Sequence, residues 1–260
     1  MKCSELIRKL EELSPPMYAL EWDNSGLLVG GRQQEIHKVL LSVDVTDEVI
    51  DEAIAQGVDM IIAHHPLIFR KINRVVAEDI TGRRILRMVQ HSIACYCMHT
   101  NFDIMGMADE AADILGLTGT EVLDVTYEDE LSKEGIGRYG FLKENCSLRE
   151  LGEKVKVLFD LNDVTLYGDL NAPMVKAAIS TGSGEDMVPK AIATDWDVII
   201  TGDIGYHCAL DAIAAGLCII DAGHFGLEKI FIPYMKTYLE REAEGVEAVA
   251  SNQKEIGFHL

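Results

Sequence analysis

The residues of this 260-residue chain that could do chemistry are histidines and carboxylates. His64 and His65 stand together after the apolar run Asp59–Ala63 and before Pro66. Neighbours on a strand point to opposite faces, so such a pair chelates one ion awkwardly. It reaches two ions, or one ion and one substrate, with ease. His99 and Asp103 are four apart in a stretch that reads as a loop, where Asp103 could equally be a helix N-cap. His224 and Glu228 follow Gly223 and open a helix. At a spacing of four they project from one helical face. A solvated surface pair is the alternative, but Phe225, Leu227, Ile230 and Phe231 make the surroundings apolar.

His64, His65 and His224 with Asp103 and Glu228 make three imidazoles and two carboxylates. That nitrogen–oxygen set contains no thiolate and suits Zn, Fe or Mn. It exceeds what one catalytic zinc needs and fits two divalent ions sharing a bridging carboxylate. Ions paired in this way polarise a substrate and generate a hydroxide. Asp44, Asp203 and His207 are candidates to support the ligands, because a metal-binding histidine needs a carboxylate or carbonyl on its other nitrogen. Asp23 and Asn24 precede Gly26 and read first as turn residues. Thr181–Gly184 could cradle a phosphate at a helix N-terminus, but it lacks a P-loop lysine, so a tight turn is the default.

Strands and helices must position these groups. Apolar β-branched runs at Lys38–Val45, Val58–His65 and Ile93–Met98 alternate with helical patterns, one of them between Thr46 as N-cap and Gly57 as C-cap. The second half repeats the scheme with strands at Val175–Thr181, Asp197–Asp203 and Leu217–Asp221. A shift of 138 positions lays Ser42 on Ser180, Ala53–Ala55 on Ala191–Ala193 and Asp59 on Asp197. The expected fold is α/β, with two similar α/β lobes and parallel strands whose carboxyl ends face a shared metal-binding cleft. The expected bounds are 1–126 for the first lobe, 127–222 for the second, and 223–260 for a C-terminal helix and strand closing the cleft. The Gly- and acid-rich stretch Tyr127–Gly140 is the expected boundary.

Composition excludes other classes. There are 43 acidic against 23 basic residues, a net charge of -20, which argues against nucleic acid and against anionic membranes. At 48% hydrophobic the chain is too apolar for disorder. There is no apolar run of about 20 residues and no signal-peptide core, so a cytoplasmic protein is expected. The six cysteines include no C-x-x-C pair and read as buried reduced thiols.

The segments EWDNSGLLVG, AHHPLIF, HTNFD, TGDIGYH and GHFGLE, in this order, resemble the Nif-three-like dinuclear metal-centre family, which often carries the name type 2 GTP cyclohydrolase I. The motifs span nearly the whole chain. The resemblance implies metal ligands at His64, His65, Asp103, His224 and Glu228, the set that spacing selected. It also implies a ring-shaped homo-hexamer and, at this length, the short form without an inserted domain. The expected function is metal-dependent hydrolysis of a small molecule, a purine nucleotide by resemblance, with His99 as the candidate for proton transfer. A phosphoester substrate is chemically as natural. A non-catalytic metal-binding or scaffold oligomer is the alternative.

Overall fold

The computed structural model describes residues 1–257. The chain divides into two compact units, Met1–Phe102 with Phe231–Lys254, and Asp103–Ile230 with residues 255–257.

In the first unit, helix α1 (Cys3–Leu13) buries Cys3, Leu6, Ile7 and Leu10, an i, i+3, i+4, i+7 stripe. Strands β1 (Gly26–Val29), β2 (Lys38–Ser42), β3 (Met60–Ala63) and β4 (Ala94–Cys97) follow, with helix α2 (Asp47–Gln56) between β2 and β3 and α3 (Ile80–Gln90) between β3 and β4. A single turn, α4 (Thr100–Phe102), ends this part of the unit. The chain returns as α10 (Phe231–Glu242) and β11 (Glu247–Ala250). The sheet order is β1-β4-β3-β2-β11. All pairs are parallel except β1 with β4, at one edge. The Thr46 hydroxyl accepts from Val49 N, and Gly57 closes α2 in the left-handed conformation, so both caps behave as the sequence requires.

The second unit contains α5 (Ala108–Leu115), β5 (Thr118–Glu128), β6 (Lys133–Ser147), α6 (Leu148–Leu158), β7 (Thr165–Tyr167), β8 (Pro173–Ser183), α7 (Val188–Ala193), β9 (Val198–Gly202), α8 (Tyr206–Ala214), β10 (Cys218–Asp221) and α9 (His224–Glu228). Its sheet runs β5-β6-β8-β9-β10-β7. Only β8–β9 and β9–β10 are parallel. The α/β class with two lobes is therefore borne out, while both sheets are mixed rather than parallel throughout.

The repeat is structural. Val39, Leu40 and Leu41 pair with Met60, Ile61 and Ile62; 138 positions on, Ala177, Ala178 and Ile179 pair with Val198, Ile199 and Ile200. The Asp59 carboxylate accepts from His37 N and Lys38 N at 2.7 and 3.0 Å. The Asp197 carboxylate accepts from the equivalent Val175 N and Lys176 N, both at 2.8 Å. Asp59 thus holds the start of β2, and Asp197 makes the equivalent contact two residues inside β8.

The observed bounds differ from the expected ones. Tyr127–Gly140 is not a lobe boundary: it spans the end of β5, the turn and the first half of β6 in the β5–β6 hairpin. Its glycines serve close approach: a Cβ at Gly140 would meet Thr118 O at 2.8 Å, and one at Gly137, where φ is +68°, would meet Ile179 O at 2.9 Å. The first unit ends at Phe102 rather than 126. The expected 223–260 segment is split, because Phe231–Lys254 belongs to the first unit and β11 extends the first sheet beside β2. Positions 258–260 of that segment lie outside the described residues.

The strands β2, β3 and β4 are buried almost throughout. Cys95 and Cys97 share a face of β4, with sulfurs 3.8 Å apart and no exposure. The Cys97 hydrogen bond, and then burial, push the Cys95 thiol well above its usual value, as befits inert core thiols.

Candidate metal centre

Strand β3 ends at Ala63, and the next two residues leave the sheet as the histidine pair. His64 is fully buried, and its Nδ1 meets the Met98 carbonyl at 2.8 Å. A carbonyl only accepts, so Nδ1 carries the proton and Nε2 the lone pair. The His65 Nδ1 meets the Asp44 Oδ1 at 2.8 Å. Asp44 is held in turn: the Gln253 side chain donates to its Oδ2 at 2.8 Å and accepts from Val43 N and Asp44 N.

His99 follows β4. Its Nδ1 meets the Asp23 Oδ1 at 2.8 Å. The other Asp23 oxygen accepts from Thr100 N, Thr100 Oγ1 and Ser25 Oγ at 3.0, 2.6 and 2.7 Å. Burial pushes the Asp23 carboxyl up. The hydrogen bonds from His99, Thr100 and Ser25 outweigh it and hold the group well below the usual carboxylate range. Asp23 is therefore both the turn residue expected from sequence, accepting from Asn24 N, and the partner that orients His99. The donor nitrogens of His64, His65 and His99 lie within 4.8 Å of one another.

In the second unit, Asp103 is not in a loop. It begins a π-helical turn, Asp103–Met107, that runs into α5. Such turns are rare and recur at functional sites. The segment behind Asp103 is pinned by Arg138, whose buried guanidinium donates to Asp109, to the carbonyls of Gly135 and Gly137, and to the Ile104 carbonyl.

His224 and Glu228 share one face of α9, with Nε2 and Oε2 3.1 Å apart. The His224 Nδ1 meets the Asp203 Oδ2 at 2.7 Å. Asp203 adopts φ +56°, a strained conformation that aspartate tolerates better than most residues. Two glycines make room for the pair. A Cβ on Gly202 would meet His224 N at 2.6 Å, and a Cβ on Gly182 would meet the Glu228 Oε1 at 2.5 Å and the His224 Nε2 at 3.6 Å. Under the 138-residue shift Gly182 corresponds to Asp44 and Asp203 to His65. One repeat thus places an Asp–His pair at its strand ends, and the other leaves a gap that His224 and Glu228 use.

The remaining expectations separate cleanly. Asp44 and Asp203 do orient histidines. His207 is exposed on α8 beside Tyr206 and, among the described residues, joins no group of potential ligands. Thr181–Gly184 is not the tight turn expected by default: Thr181, Gly182 and Ser183 continue β8, and the next helix starts at Val188. Gln253, Thr100, Arg138 and the Met98 carbonyl carried no sequence signal.

Fold and side chains together define a two-lobed α/β protein with histidine, aspartate and glutamate groups that could hold a metal ion. Among the described residues no helix is long and apolar enough to cross a membrane. The chain belongs to the Duf34/NIF3 (NGG1p interacting factor 3) family, whose model matches residues 1–256. A relative from Clostridium perfringens (strain 13 / Type A), named GTP cyclohydrolase 1 type 2 homolog, is 35% identical over 263 residues and is covered in full, as is this chain. A relative of the same name from Lactococcus lactis subsp. lactis (strain IL1403) is 37% identical over 264 residues, covering 100% of this chain and 99% of that protein. The solved structure of the Bacillus cereus protein related to NIF3 matches with TM-score 0.94 at 26% identity, over 100% of this chain and 99% of that one.

Proposed function

We propose that this chain is a metal-dependent hydrolase of a small molecule, with two divalent ions held by His64, His65, Asp103, His224 and Glu228. One observation carries the reading: each of the three proposed imidazole ligands has an oxygen acceptor on Nδ1, from Met98, Asp44 and Asp203. This arrangement favours the tautomer that presents Nε2 as a ligand, and metal sites depend on such partners. The donor set is nitrogen and oxygen only, which fits Zn, Fe or Mn. Bound there, a metal pair would polarise the substrate and lower the pKa of a water.

The protein's own groups do the rest. His64, fully buried, and His65, braced through Asp44 to Gln253, hold fixed positions. Glu228, nearly buried, brings negative charge to the set. His99 is not needed as a ligand. Its orientation by Asp23 supports a role for His99 in moving a proton to or from the reacting group. The names of the relatives make a purine nucleotide the first substrate to try, and a phosphoester the second.

The test loads the purified chain with Zn, Fe or Mn and screens nucleotides and model phosphoesters, with His65→Ala as control. Turnover that requires metal and is lost in His65→Ala is expected. Metal binding at about two ions per chain without turnover of any substrate would favour a storage or scaffold protein instead. We further propose a closed homo-oligomer of six chains. A net charge of -20 disfavours random association, so assembly must be specific. Light scattering reporting only monomer at micromolar concentration would refute it.

A further inference from the structure

Two large aromatic side chains of the first unit are held in the open beside the histidine cluster. Trp22 is 59% exposed and Phe69 is 58% exposed. Single exposed apolar residues are ordinary and need no explanation. These two differ in being mutually fixed. Their ring centroids are 5.8 Å apart at 61°, and they lie 5.8 and 6.2 Å from the His99 ring, both edge-on. The segments that carry them are stapled together, because the Asn24 Nδ2 donates to the Ile68 carbonyl at 2.7 Å. The residue after Trp22 is Asp23, whose side chain is fully buried and held by hydrogen bonds from Asn24, Ser25, His99 and Thr100.

The result is a rigid corner of two ring faces beside His99. A planar ring lying flat on one wall meets the other edge-on, the two geometries that aromatic pairs prefer. Such a corner recognises any base or similar heteroaromatic ring without reading its hydrogen-bond pattern. Charge adds a second criterion. In a chain of net charge -20, the segment Pro66–Ala77 contains Arg70, Lys71 and Arg74 and no acidic residue. Arg74 is engaged by Asp79, whereas Arg70 and Lys71 directly follow Phe69 and are exposed.

We propose that Trp22 and Phe69 form a stacking subsite for a planar heteroaromatic ring, and that Arg70 and Lys71 favour ligands in which this ring carries an anionic group. The subsite deepens the function proposed above and rests on the histidine cluster being the chemical centre. It assigns substrate selection to four residues that hold no metal.

Isothermal titration calorimetry with GMP, guanosine and ribose 5-phosphate tests it on metal-loaded and metal-free full-length protein. GMP and guanosine should bind, and ribose 5-phosphate should bind at least tenfold more weakly than GMP. Trp22→Leu and Phe69→Leu should each weaken guanosine by about tenfold or more. Arg70→Gln with Lys71→Gln should weaken GMP and leave guanosine unchanged. Binding that persists in protein with no turnover supports the subsite and counts against the hydrolase reading alone. Equal binding of GMP and ribose 5-phosphate would overturn the proposal, as would unchanged guanosine affinity in both leucine variants. A smaller particle mass for the folded leucine variants would also overturn it, since the corner would then be a contact between copies.

Discussion

Gly182→Ala is the most informative substitution, because its effect splits into two parts with different causes. Gly182 sits at φ +72°, a conformation that costs an L-residue roughly 1–2 kcal/mol. The new Cβ would also lie 2.5 Å from the Glu228 Oε1, inside van der Waals contact, with the His224 Nε2 at 3.6 Å. Something must move, and the carboxylate end is softer than the β8 backbone. The backbone part should lower the melting temperature of metal-free protein by about 2–8 °C, taking 2–4 °C per kcal/mol for a chain of this size. The displaced carboxylate should weaken metal binding about 10–100-fold, the usual penalty for disturbing the groups that position ligands. Thermal melts with and without metal, and competition against a chelator of known affinity, read the two parts separately. Combining the change with Glu228→Ala isolates the contact: the alanine cost of strain should remain while the loss in metal affinity beyond Glu228→Ala disappears. If Gly182→Ala bound metal as tightly as the native chain, or if its affinity loss added in full to that of Glu228→Ala, the cradle around Glu228 would be wrong.

Three further outcomes are expected. Free metal at a hundredfold its dissociation constant should stabilise the fold by about 2.7 kcal/mol, and Glu228→Ala should abolish most of that increment although His64 and His65 are untouched; a full thermal shift and full occupancy by elemental analysis would return Glu228 to a structural role. Gln253→Ala removes the side chain that braces Asp44, so metal affinity should fall about tenfold, visible in the same competition assay and absent if Asp44 keeps its position unaided. Arg138→Met leaves the Gly135 and Gly137 carbonyls without their buried donor, at a cost of about 1–3 kcal/mol for each group orphaned, and denaturant unfolding should show the lower midpoint.

Much of the scaffold was legible because it is written in near neighbours. Thr46 and Gly57 bound α2 through contacts within four residues. The buried runs of β2 and β3 are apolar because both faces are covered, which a parallel sheet requires. The repeat shift of 138 positions carries Asp59 onto Asp197, and both accept from two successive backbone N–H groups on the neighbouring segment. His224 and Glu228 were paired by helical spacing alone, and the side chains do meet.

What escaped the sequence depends on where the chain travels. Asp23 reaches His99 across 76 positions, and Gln253 reaches Asp44 across 209. No local pattern encodes such partners, because a hydrogen bond between distant segments exists only after the backbone has brought them together. The glycines of Tyr127–Gly140 looked like a boundary between lobes for the same reason: in sequence a flexible residue and a residue crowded by a neighbouring strand are both simply glycine. The return of Phe231–Lys254 to the first sheet was equally hidden, since a parallel edge such as β11 beside β2 is chosen by packing and crossover rather than by composition. The sequence by itself determined which side chains could act as ligands and on which kind of element each rides. The tertiary structure decided which nitrogen of His64, His65 and His99 is turned away from its oxygen partner, because that choice belongs to the oxygen on the other side of the ring.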